Sequence, residues 1–179
     1  MLPNVLTLLR IALLPPLAWL ILSARYPSAL ILAALAGLSD LADGYLAKRF
    51  GWVSRFGSIA DPTADKLLMV VAYTSLAAAG LLPWWLLALT VSRDLVIVTG
   101  AYAYHRLVEP LIATPLWSGK LNTALQTLLI AVVLLDAGLV PLPAAVTVNL
   151  TWLVAVSTLS SMLHYVVIWA RRAHERWPR

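Results

Sequence analysis

The acidic residues Asp40, Asp43, Asp61, Asp65 and Asp94 of this 179-residue chain stand inside apolar stretches. An ionised carboxylate at membrane depth is costly, so such residues face a polar cavity and mark function. Asp40 and Asp43 are three apart, and Asp61 and Asp65 are four apart. Both spacings put the pair on one helix face. The connection between the two stretches is short, so the helices run antiparallel and can bring the pairs together. Four carboxylates in one pocket repel unless cations hold them. Oxygen donors without His or Cys suit a hard ion: Mg²⁺, Mn²⁺ or Ca²⁺. A purely structural alternative pairs the acids with Lys48, Lys66 and nearby arginines, or uses them as helix caps. The shared spacing of both pairs favours converging ligands. Gly37, Gly44, Gly51 and Gly57 surround the acids. Gly44, directly after Asp43, permits close approach of a ligand or of another helix. Lys48 and Arg49 add cations for an anionic substrate. Carboxylates, metal ions and a cation together describe a site for a diphosphate or nucleotide.

The elements that must position these groups are membrane helices. The chain is 61% hydrophobic and 12% charged, with a mean hydropathy of +0.87. A soluble domain carries about 25% charged and 45–50% apolar residues, and one soluble core cannot hide this apolar excess. The same composition excludes disorder. Cysteine is absent, which excludes disulfides, zinc–thiolate sites and Cys nucleophiles. The pI near 9.9 reflects basic membrane loops and needs no nucleic acid. Apolar runs of roughly 20 residues give six expected spans, at 3–24, 27–48, 55–80, 83–105, 118–138 and 143–170. They are broken by turn chemistry at Arg25-Tyr26-Pro27, Gly51-Trp52, Gly80 to Pro83, Glu109-Pro110 and Pro141 to Pro143. The expected fold is an all-α polytopic membrane protein with six transmembrane helices, one domain over 1–179, and no cleaved signal peptide.

Lys48, Arg49 and Arg55 lie in the expected 2–3 loop, Arg106 and Lys120 bracket the 4–5 loop, and Arg171, Arg172, Arg176 and Arg179 form the tail. The opposite loops contain only Arg25. The positive-inside rule therefore puts both termini and the acid-bearing helix ends in the cytoplasm. Attraction of the tail to anionic lipid is a lesser supplement.

Asp40-Leu-Ala-Asp43-Gly44-Tyr-Leu-Ala47-Lys48, eight residues, then Gly57-Ser-Ile-Ala-Asp61-Pro-Thr-Ala-Asp65 resembles the signature of the CDP-alcohol phosphatidyltransferases, D-x2-D-G-x2-A-R-x8-G-x3-D-x3-D. Seven of eight defining positions match over 26 residues with every spacing intact. The departure is Lys48 where the family has Arg, with Arg49 beside it; Lys lacks the bidentate fork. The resemblance implies a six-helix membrane enzyme, a homodimer, with a site of two Mg²⁺ or Mn²⁺ ions open to the cytoplasm. It implies Asp40, Asp43 and Asp61 on one ion, Asp40, Asp61 and Asp65 on the other, and Asp65 as general base for the acceptor hydroxyl. Gly44, Lys48, Ser54 and Gly57 would surround the CDP group of CDP-diacylglycerol.

Pro3-Asn4-Val5-Leu6-Thr7-Leu8-Leu9-Arg10 is similar to the N-terminal segment of bacterial phosphatidylglycerol-type members, which puts Asn4 and Thr7 at the nucleotide. Taken alone, both suit a helix N-terminus equally well. Ser92-Arg93-Asp94 puts an ion pair inside the fourth span, where Arg93 either binds the phosphate of a lipid acceptor or is simply neutralised by Asp94. Ser118-Gly119-Lys120-Leu121-Asn122-Thr123, with Gln126, opens the fifth span with a cation, amides and a hydroxyl near a helix N-terminus. That combination suits a phosphate, and equally a polar cap with a snorkelling Lys. His105 and His164 lie near span ends with no partner at ligand spacing and read as interface residues; the eight Trp cluster toward span ends as an aromatic belt.

Arg93-Asp94 and Lys120-Leu121-Asn122-Thr123 resemble the cardiolipin synthases of the CDP-alcohol type, which use phosphatidylglycerol as acceptor. Phosphatidylglycerophosphate synthases, which use glycerol-3-phosphate, have Arg-Glu and Lys-x-Lys-Thr instead. A dianionic acceptor wants more positive charge than a phosphodiester, and Asn122 in place of the second Lys follows that direction. The resemblance therefore points to cardiolipin synthesis in the cell (inner) membrane, with the glycerol-3-phosphate reaction as the alternative. Outside the family, an intramembrane prenyltransferase would have more helices and two separated acid motifs. A divalent-cation transporter would carry its acids near the bilayer midplane on broken helices.

Overall fold

The computed structural model describes residues 2–50, 57–107 and 116–176, with side chains at 9–39, 64–106, 116–172 and 174. Among the described residues there are six helices and no strand: α1 (Leu2–Leu22), α2 (Tyr26–Phe50), α3 (Gly57–Ala78), α4 (Trp84–Leu107), α5 (Trp117–Gly138) and α6 (Ala144–Arg176). Their ends fall within two residues of the expected spans, except that α6 runs to Arg176 where 170 was expected. At 1.5 Å per residue its 33 residues extend about 50 Å, more than a hydrocarbon core of roughly 30 Å needs. The basic end of α6 therefore continues beyond the apolar layer.

Three segments are by themselves long and apolar enough to cross a membrane: Trp84–Arg106, Trp117–Gly138 and Ala144–Arg172. Leu9–Leu22 of α1 and Tyr26–Ser39 of α2 are shorter apolar stretches. The outward faces agree with a lipid setting. Ile31, Leu35, Leu38, Leu95, Val98, Tyr102, Leu163 and Trp117 are all more than half exposed, an amount of open apolar surface that water would not tolerate. The chain is a polytopic, all-α membrane protein.

Its contacts fall into two compact units. The first holds residues 1–84 with 130–143, and in it α1 packs against both α2 and α3. The buried stripe of α1 is Arg10, Leu14, Leu17 and Ile21, at the three- and four-residue spacing of one helix face. Ala29 and Ala36 of α2 and Ala64 and Ala72 of α3 are buried small residues of the kind that lets membrane helices approach closely. Pro15 and Pro16 lie inside α1. They remove the amides that would bond Ile11 and Ala12, one turn after Arg10.

The C-terminal ends of α1 and α3 close with the same device. Arg25 N donates to Leu20 O at 2.9 Å and Ala24 N to Ile21 O at 3.1 Å, with Ala24 at φ 55°. Leu81 N donates to Leu76 O at 2.9 Å and Gly80 N to Ala77 O at 3.0 Å, with Gly80 at φ 75°. Each is a left-handed cap that satisfies two terminal carbonyls. Gly80 takes that conformation without strain, whereas Ala24 takes it against its Cβ. At the far end of α5, a Cβ on Gly138 would lie 2.8 Å from the backbone nitrogen of Pro27 and from Tyr26 Cβ, so the start of α2 rests on bare backbone. Asp136 Oδ1 accepts the Leu142 amide at 2.7 Å and ties the following loop to α5.

The second unit holds residues 85–129 and 144–179. Among the described residues, Leu86, Tyr104, Leu129, Val154 and Ala155 are its buried hydrophobic residues, joined by buried Arg93, Asn122, Gln126, Thr151, Thr158 and Ser161. Gly100 leaves the space that the Trp169 ring fills, and Trp85 lies 5.3 Å from Trp152, centroid to centroid.

Two stability changes follow from these backbone details. Ala24→Gly should stabilise the protein by about 0.5–1 kcal/mol, the relief of left-handed strain less the added chain entropy. Gly138→Ala should destabilise it by about 1–3 kcal/mol, because backbone must move to admit the methyl. Equilibrium unfolding in mixed micelles, followed by tryptophan fluorescence, measures both.

Candidate active site

The acid motif divides between the end of α2, which carries Asp40, Asp43, Gly44 and Lys48, and the start of α3, which carries Gly57, Asp61 and Asp65. The two acid-bearing segments thus lie on consecutive helices of one compact unit. Ser54 lies outside the described residues, as do the side chains of Asn4, Thr7, Asp40, Asp43, Lys48 and Asp61.

Asp65 is the described member of the quartet. Its neighbour Ala64 is fully buried, while the Asp65 side chain is 45% exposed. Arg10 Nη1 donates to Asp65 Oδ1 at 2.7 Å, and the Arg10 side chain is 2% exposed. The cation therefore comes from inside the helix bundle and the carboxylate is reached from outside it. Among the described residues no three His, Cys, Asp or Glu side chains gather as a metal site. Asp65 itself is a hard oxygen donor, charge-paired and accessible, and fits a divalent ion of the Mg²⁺ type. Sequence reasoning gave Arg10 no role. Its one local signal is its place on the stripe that continues as Leu14, Leu17 and Ile21, where a cation has no place unless an anion meets it.

The second unit holds the residues expected to bind the acceptor. Arg93 is 8% exposed. Its Nη1 donates to Asp94 Oδ1 at 2.8 Å, its Nη2 to Ser161 Oγ at 2.8 Å, and its guanidinium lies 5.8 Å from the Tyr165 ring centroid. The ion pair with Asp94 foreseen in the sequence is formed, and α6 supplies two further partners that the sequence did not disclose. Tyr165 also accepts the Leu116 amide at 3.1 Å, and a Cβ on Gly119 would stand 3.1 Å from its hydroxyl. One phenol thus holds the entry of α5 against α6, beside Arg93. Lys120 is exposed at that entry.

Asn122 is fully buried and turned into the seam between α5 and α6. Ser157 Oγ and Thr158 Oγ1 approach its Oδ1 at 2.7 and 2.9 Å, and both hydroxyls also reach Val154 O, at 2.9 and 2.7 Å. Two hydroxyl protons cannot serve four acceptor contacts, and Asn122 Nδ2 has no hydrogen-bond partner. With the amide turned by 180°, its two N–H groups would serve both hydroxyls, and each hydroxyl proton would pass to Val154 O. Its oxygen would then be the buried end without a partner. His164, read from the sequence as an interface residue, has its Nδ1 3.0 Å from Ser118 Oγ. Their separation of 46 residues explains why no local spacing revealed the pair.

Comparison with known proteins agrees with the motif. The family model for CDP-alcohol phosphatidyltransferase matches residues 1–172. A rat protein named cardiolipin synthase (CMP-forming) is 38% identical over 145 residues, covering 72% of this chain and 48% of that protein. Its human counterpart, with the same name, is 37% identical over 147 residues, with the same two shares. A rice protein named CDP-diacylglycerol--glycerol-3-phosphate 3-phosphatidyltransferase 1, chloroplastic, is 35% identical over 187 aligned positions, covering 92% of this chain and 55% of that protein. The chain spans about half the length of these relatives. With the acid motif at its expected spacing on α2 and α3 and a family match over nearly its whole length, the chain belongs to the CDP-alcohol phosphatidyltransferase family.

Proposed function

We propose that this protein transfers the phosphatidyl group of CDP-diacylglycerol to a hydroxyl of phosphatidylglycerol, giving cardiolipin and CMP. The observation that carries the reading is the acid signature from Asp40 to Asp65, on a chain whose relatives include cardiolipin synthases. The family uses divalent metal ions. Asp40, Asp43, Asp61 and Asp65 would hold two ions, Mg²⁺ or Mn²⁺, and Asn4, Thr7, Gly44, Lys48, Ser54 and Gly57 would bind the donor. Ions bound there would neutralise the diphosphate and stabilise CMP as it leaves.

The acceptor's hydroxyl oxygen attacks the phosphorus that carries diacylglycerol. The bond from that phosphorus to the CMP oxygen breaks, CMP departs with the electron pair, and the hydroxyl proton passes to the Asp65 carboxylate. A positioned base of this kind is worth about 10²–10⁴ in rate. Lys120 and Arg93 supply positive charge for the acceptor's phosphodiester, while Asn122 holds α5 to α6 behind them. Apolar helix faces would admit the acceptor's chains sideways from the bilayer. The protein would act as a homodimer, a single membrane domain in the cell (inner) membrane with both termini and the site cytoplasmic.

The name of the rice relative keeps one rival, glycerol-3-phosphate as acceptor. Purified protein given CDP-diacylglycerol and each acceptor separately, with products followed by thin-layer chromatography, should yield cardiolipin and CMP with phosphatidylglycerol and little product with glycerol-3-phosphate. The opposite pattern replaces the proposal with phosphatidylglycerophosphate synthesis.

Metal dependence supplies a second test. Excess EDTA should abolish turnover and added Mg²⁺ or Mn²⁺ restore it. Asp40→Asn and Asp61→Asn should each reduce turnover at least about 100-fold, as loss of a ligand shared by both ions requires. Full turnover in EDTA would remove the metal site.

A further inference from the structure

We infer that Arg10 is a positioning residue for transfer: it orients the Asp65 carboxylate, so that the buried face of α1 sets the direction in which α3 presents its base. The inference rests on the reading of Asp65 as general base given above.

Three observations carry it. The first is the contact itself, Arg10 Nη1 to Asp65 Oδ1 at 2.7 Å, made across 55 residues between α1 and α3. A carboxylate is planar, so a bond that fixes one oxygen also fixes where the second points. The second is asymmetry of burial: the Arg10 side chain is 2% exposed and that of Asp65 is 45% exposed. A pair serving only to join two helices could be closed from water on both sides. This one is sealed on the cation's side and open on the carboxylate's side, as a group that must meet a ligand requires. The third is the choice of residue. Arg10 occupies a stripe otherwise made of Leu14, Leu17 and Ile21, and a buried ion pair is often no more stabilising than apolar side chains of equal volume. A charge retained there has a use other than packing. Its guanidinium, short of rotamer freedom in a packed stripe, is a fixed reference for the base, and misplacing a reacting group by about 1 Å costs on the order of 10²-fold in rate.

The test uses the full chain in lipid nanodiscs. Arg10→Gln should lower kcat about 100-fold and leave KM for CDP-diacylglycerol within about threefold. Its Mn²⁺ affinity, read by electron paramagnetic resonance, should also stay within about threefold. In an Asp65→Asn background, Arg10→Gln should cost no more than about a further threefold, because a positioning residue has nothing left to position. A merely structural link would instead lower thermal stability and act additively. Additive losses, or a kcat within threefold of wild type, overturn the inference. Where Arg10→Gln does not fold, Arg10→Lys decides. A kcat reduced about tenfold at unchanged KM supports the inference, since Lys keeps the charge and loses the fork; an unchanged kcat overturns it. Asp65→Asn separates the two levels. If it keeps more than about a tenth of wild-type turnover, the general-base reading itself falls. If it is inactive while Arg10→Gln is active, only the role of Arg10 falls.

Discussion

A carboxylate among apolar helices must be met by positive charge, and the first unit is arranged around that requirement. Arg10 answers Asp65 at 2.7 Å from within the buried stripe of α1. The pair forms because α1 packs on α3, and that packing is brought close by alanines where larger side chains would hold helices apart. A buried guanidinium is tolerable in hydrocarbon only with such a partner. Helix packing and the electrostatics of the acid motif are therefore one problem with one solution.

The second unit solves the same problem with more partners. Arg93 is held by Asp94 from its own helix and by Ser161 and Tyr165 from α6. Hydroxyls and amides of α5 and α6 line the seam beside it, where Asn122 meets Ser157 and Thr158. In lipid there is no hydrophobic force to bring helices together, so interhelical hydrogen bonds and close small-residue contacts carry much of the association. The polar residues at the start of α5 therefore build the unit, and in the proposed reading the same segment supplies charge for an anionic acceptor. One role does not exclude the other: Lys120 is exposed, while Asn122 two residues later is fully buried.

What could be read from the residues alone divides along sequence distance. The six helices were legible because hydropathy and turn residues act locally, and their ends came within two residues everywhere except at α6. There the Arg-bearing tail stays helical past the apolar span, because basic residues at a helix C-terminus favour continuation into water. The acid motif was legible because its members sit at fixed local spacings on consecutive helices. Arg10 was visible as a residue but not as a partner, since 55 residues separate it from Asp65. His164 with Ser118, and Tyr165 with the Leu116 amide, were hidden for the same reason. Hydrophobic periodicity says which face is buried and nothing about which buried face it meets.

The open apolar faces of α2, α4 and α6, with Leu35, Leu38, Leu95, Val98 and Leu163 turned outward, have a calorimetric consequence. These side chains are solvated by lipid tails when the helices are packed, and remain so when the helices separate within the bilayer. Little apolar surface passes into water, so the large positive heat-capacity change that bends the stability curve of a soluble domain has little source here. Stability in the bilayer then varies almost linearly with temperature, with an enthalpy that is nearly constant and set by van der Waals contacts and hydrogen bonds. Cold brings no second melting, because no fading of hydration is there to cause it.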